Sequence, residues 1–82
     1  SQHVKFELPN LDQRISLFKY HIPQEVKTTD LDFKVLAQNS DQCSGGDIKV
    51  ICEEAMVQAC VEAETLNQAI LKPEHLLNEI KK

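Results

Sequence analysis

Apolar and polar positions along the chain fall into helical periods broken by short polar stretches. Leu11, Ile15, Phe18 and Ile22 recur at i, i+4, i+7 and i+11, one stripe of an amphipathic helix. Asn10 precedes that stripe and Gln13 stands three residues on, the pattern of a capping box, and Pro23 stops the helix. Arg14, Leu17 and His21 form a flanking, more polar ridge. Gln24 to Asp30 reads as a loop. Phe33, Leu36 and Ala37 predict a short helix capped by Asp30 or Asp32 and ended by the turn formers Gln38 to Gln42. The longest run opens at Cys43-Ser44-Gly45-Gly46-Asp47-Ile48, with Ser44 as cap, and extends to about Leu66. Its core face is Ile48, Ile51, Cys52, Ala55, Ala59, Ala63 and Leu66, and its alanines admit close neighbours. Val50, Val57 and Val61 fall on the opposite side. Leu71-Lys72-Pro73 begins a last helix, with Pro at its first position and Leu76, Leu77 and Ile80 as its apolar face.

Before these helices, Val4 to Leu8 alternates apolar and polar and then meets Pro9, a strand signature with no partner strand in the chain. It reads as an extended tail or as the last strand of a sheet in a preceding domain. The expected architecture is all-α: an extended segment over 1–9 and a four-helix domain over 10–82.

Composition narrows the function. At 82 residues the chain has room for one small domain. Such a domain buries only roughly 60–65% of its unfolded surface, which favours docking on something larger. A net charge of −4 without a basic cluster argues against a nucleic-acid module, including a helix-turn-helix reader, because phosphate contacts supply most of the affinity of such modules. No apolar run approaches a membrane span. The three cysteines lack a C-x-x-C pair and read as free, buried thiols of a reducing compartment, which gives the expectation of a cytoplasmic protein. His3, His21 and His75 have no paired-ligand spacing with them, so no metal site is expected.

The Ser44-Gly45-Gly46 turn exposes backbone N–H groups unobstructed by side chains, which suits a tight turn, a flat ring or an anion. Taken in order, a strand and Pro9, Arg14 with His21 seven residues later, Leu36-Ala37, Ser44-Gly45-Gly46-Asp47, then Cys52 and Glu54-Ala55, the chain resembles the C-terminal helical lid of the AAA family of ATPases. The resemblance covers nearly all of its length. Asp47 and Ile48 stand where wider AAA+ relatives place a sensor arginine, which fits the classical AAA branch. Val61 stands where the family often has an Arg, and the chain ends Ile80-Lys81-Lys82 without the hydrophobic-Tyr-X tail of proteasomal ATPases.

The resemblance implies a lid that closes over ATP or ADP, with Leu17, His21, Gly45 and Gly46 lining the adenine and Mg held through a large domain absent from this chain. It implies contact with that large domain and with neighbouring subunits of a homo-hexamer, a hinge near Pro9 and Asn10, and protein substrates recruited by other domains. No catalytic residue is assigned, since the phosphate-binding loop, the acidic metal-binding segment and the arginine fingers belong to the large domain. The chain is therefore expected to be inactive alone. Without the resemblance, His21 reads as a partly buried histidine at a helix end, Leu17 as core or interface, and Arg14 as a solvated helix arginine. The Val50, Val57 and Val61 line supports an alternative, a free-standing helical adaptor that binds a partner helix or peptide.

Overall fold

A computed structural model describes residues 7–82. Four α-helices are present among the described residues: α1 (Leu11–His21), α2 (Phe33–Asn39), α3 (Gly45–Glu62) and α4 (Pro73–Ile80), with one 3-10 turn, Leu66–Gln68, before α4. The all-α architecture is as expected. The strand expected over Val4–Leu8 lies mostly outside the described residues.

Helix starts follow local chemistry. The Asn10 side chain accepts from the Gln13 N–H, and the Gln13 side chain accepts in return from the Asn10 N–H, both at 2.9 Å. Asp32, rather than Asp30, caps α2 by accepting from the N–H groups of Lys34 and Val35. Asp30 instead takes a left-handed backbone, φ 55°, which Asp tolerates better than most side chains. Ser44 caps α3 and shares a reciprocal pair with Asp47: Ser44 Oγ accepts from the Asp47 N–H at 3.0 Å, and the Asp47 carboxylate accepts from the Ser44 N–H at 2.9 Å.

The core lies where α3 meets α1 on one side and α4 on the other. Phe18, Leu36, Ile48, Cys52, Leu71 and Leu76 are its largest fully buried apolar side chains. Ile48, Ile51, Cys52, Ala55 and Ala59 form one face of α3, as the periodicity predicts. That helix ends at Glu62 rather than near Leu66, because Ala63 turns extended (ψ 150°) and cannot continue the ladder. Two connections come together beyond it. Leu71 donates its N–H to the Lys27 carbonyl at 2.8 Å, and Thr29 donates to the Leu71 carbonyl at 3.2 Å, a single parallel bridge that the helical periodicity does not signal.

Two side chains depart from the sequence reading, and a third, His75, has a role that reading did not address. Arg14 is buried, not solvated. Cys60 is exposed, so of the three thiols only Cys52 is fully enclosed. His75 is buried between helices: its Nδ1 accepts from the Lys72 N–H at 3.0 Å, and its Nε2 lies 2.8 Å from Glu62 Oε1. A ring that accepts through Nδ1 carries its proton on Nε2, so it donates to Glu62 and ties the end of α3 to the start of α4.

Candidate functional site

The first turns of α1 and the N-terminus of α3 flank an open groove of about 590 Å³, walled by Pro9, Gln13, Ser16, Leu17 and Gly45 and bordered by the carboxylates of Glu7 and Asp12. Leu17 is half-buried and faces the first residue of α3: a Cβ built on Gly45 would stand 3.8 Å from both Leu17 methyls. On Gly46 it would meet only Ser44 Oγ, again at 3.8 Å. These are ordinary contact distances, and neither glycine has a positive φ. The chain's own packing thus has room for a methyl group at both positions.

The capping pair uses the amides of Ser44 and Asp47 and leaves those of Gly45 and Gly46, which make no hydrogen bond among the described residues. A helix start has orphan donors, and here the first of them, on Gly45, lies beside the apolar Leu17 side chain. The acid groups around them decide what they suit. Hydrogen bonds from Ser44 lower the Asp47 pKa from its ordinary value, and Glu7 and Asp12 add carboxylates to the groove. A phosphate would be repelled there. A flat, neutral ring with acceptor atoms on its edge would not.

Of the four residues singled out in sequence, Leu17 and Gly45 are brought into one groove. Gly46 follows as the second residue of α3 and is exposed. His21 lies one turn beyond Leu17 and is not among the groove's lining residues. Its half-buried ring stands edge-on to Tyr20, with centroids 4.9 Å apart.

Sequence reasoning missed Arg14 as a support for this region. Its Nε donates to the Ala37 carbonyl and its Nη1 to the Pro9 carbonyl, each at 2.9 Å, while Asp41 Oδ1 lies 3.8 Å from Nη1. A signal was present: position 14 is i+3 from Leu11 and i−4 from Phe18, on the buried stripe of α1, where a charge needs fixed partners.

No protein-family model matches the chain. Curated relatives do. Over 52 residues, 63% of this chain, it is 42% identical to the proteasome-activating nucleotidase of Archaeoglobus fulgidus. Over 61 residues, 74% of the chain, it is 38% identical to the proteasome-activating nucleotidase of Methanopyrus kandleri. A cell division cycle protein 48 homolog of Archaeoglobus fulgidus is 30% identical over 61 residues, 74% of this chain and 8% of that protein. These relatives are AAA ATPases. The matched stretches far exceed the 18 residues of α3, so the similarity to AAA ATPases runs through several elements, not one helix pattern. The aligned stretch spans 13% and 14% of the length of the two nucleotidases.

Proposed function

We propose that the chain is the C-terminal helical lid of an AAA ATPase and that its groove holds the adenine of ATP or ADP. The observation that carries this reading is the placement of Leu17 against Gly45, the first residue of α3, where the Gly45 and Gly46 N–H groups have no hydrogen-bond partner among the described residues. Leu17 presents an apolar surface to the base, and the two amides donate to its edge. His21, four residues on along the same helix, adds a hydrogen-bonding group at the outer end. Adenine recognition needs this pairing of apolar surface with a few placed polar groups. Glu7, Asp12 and Asp47 keep the phosphates turned away, toward a large domain that carries the catalytic groups and Mg. When bound there, ATP supplies the phosphoanhydride whose hydrolysis drives the lid's rigid-body movement. The lid contacts that domain and neighbouring subunits of a homo-hexamer, and protein substrates engage other domains, in the cytoplasm.

Two measurements test this. The coding sequence upstream is expected to encode a Gly-x-x-x-x-Gly-Lys-Ser/Thr loop within roughly 200 residues; its absence sinks the proposal. In an amide and methyl NMR titration with ADP, shifts are expected at Leu17, His21, Gly45 and Gly46, and shifts spread evenly over the surface would count against the groove.

A second reading has one observation in its favour. Val50, Val57 and Val61 are 54%, 51% and 71% exposed on α3, a face suited to a partner helix. A free-standing adaptor would bind a peptide through this face without nucleotide, and Val57→Asp would abolish that binding.

A further inference from the structure

The groove's two walls are fastened to one buried polar cluster that lies behind them. Arg14 does not line the groove, yet its Nη1 holds the carbonyl of Pro9, which does. Its Nε holds the Ala37 carbonyl at the end of α2. That same carbonyl accepts from the N–H and hydroxyl of the fully buried Ser40, at 3.3 and 3.2 Å. The Ser40 carbonyl accepts in turn from the Cys43 N–H at 3.0 Å, just before the Ser44 cap and Gly45. The Pro9 wall and the Gly45 wall therefore meet, through Arg14, at the single carbonyl of Ala37.

We propose that Arg14 is the positioning residue of this groove, setting its width and the rotation of Leu17 without touching the ligand. The inference rests on the nucleotide reading above and adds to it what holds the site open. A planar guanidinium offers donors in several fixed directions, so it spans Pro9, Ala37 and the Asp41 carboxylate at once. A lysine ammonium concentrates its donors at one point and cannot reproduce that span. Arg14 and Leu17 are three residues apart on one helix, so anchoring the first against α2 fixes the direction of the second.

The test compares the unaltered chain with Arg14→Lys and Ser40→Ala, well below their melting temperatures, with ADP as the probe. Arg14→Lys is expected to weaken ADP binding by about tenfold, as a loosened support does, and to shift the Leu17 methyl and Gly45 amide signals while those of Leu76 stay in place. Ser40→Ala removes a buried hydrogen bond from the same carbonyl but leaves the arginine, so it is expected to lower the melting temperature and keep ADP affinity within about twofold. Equal affinity loss in both variants, or none in Arg14→Lys, overturns the proposal. If Arg14→Lys fails to fold, exchange of the Arg14 Nε–H in the unaltered chain decides: by reciprocity of coupling it should slow on adding ADP. An unchanged rate overturns the assignment. If the unaltered chain gives no ADP shifts at the groove, the nucleotide reading fails, and the Leu17 and Gly45 signals of Arg14→Lys alone still report whether Arg14 sets the wall.

Discussion

At the scale of single residues, Gly45 and Gly46 are the most informative. A glycine inside a helix costs roughly 0.5–1 kcal/mol relative to alanine, and neither position needs a left-handed backbone. Since a methyl on either would make only 3.8 Å contacts, Gly45→Ala and Gly46→Ala are expected to leave the fold intact or slightly raise its melting temperature. On the nucleotide reading proposed above, the same methyl at Gly45 would intrude between Leu17 and the base. A variant that is more stable yet binds ADP less well would mark a position kept bare for the ligand; unchanged affinity would return it to an ordinary turn. The cysteines differ as sharply. Burial, with a smaller contribution from the Glu53 charge, pushes the Cys52 thiol up to about 12. Only a thiolate reacts, so at about pH 8 iodoacetamide should label exposed Cys60 and spare Cys52 until the protein unfolds. Mass spectrometry of the labelled chain checks this directly.

Elements here depend on their ends. Ser44→Ala removes the acceptor for the Asp47 N–H and should cost about 1 kcal/mol in chemical denaturation. The other half of the pair is titratable. Asp47 has a lowered pKa in the folded chain, so its contribution is fully present above the ordinary carboxylate range. It is lost as pH falls through that lowered value. Asp47→Asn should therefore flatten the acid limb of the stability curve and leave the neutral region little changed in shape. The far end of α3 is held differently, by His75, which donates to Glu62 and accepts from Lys72. Nitrogen NMR should find the neutral imidazole as its Nε2–H tautomer. An Nδ1–H ring would contradict the arrangement.

For the whole molecule, what was legible in the sequence is what repeats or caps. The stripe through Phe18 and Ile22, the alanine face of α3, Pro73 at the start of α4 and the caps at Asn10 and Ser44 are local, and local rules place them. The groove was half legible: Leu17 and Gly45 are 28 positions apart in the chain, and what linked them in sequence was a family resemblance, not spacing. Arg14, His75 and the bridge at Leu71 were not legible in their roles. Each depends on carbonyls or carboxylates contributed by a distant segment, and the hydrophobic pattern does not report where backbone oxygens point. Arg14 shows the cost of reading residue types alone, since its charge argued for solvent while its register argued for the core.

The bridge between the α1–α2 connection and Leu71 has a kinetic consequence. Lys27 Nζ also donates to the Asn67 carbonyl, a contact between positions 40 residues apart. The connection from α2 to α3 is short and lets these two helices pair early, but this closure must wait for the chain to return. The segment from Asn67 to the end of α4 should dock last and, by the same logic, open first. Its amides are expected to exchange by sub-global opening at denaturant concentrations where α3 remains protected. The order of yielding would then be the order of assembly run backwards.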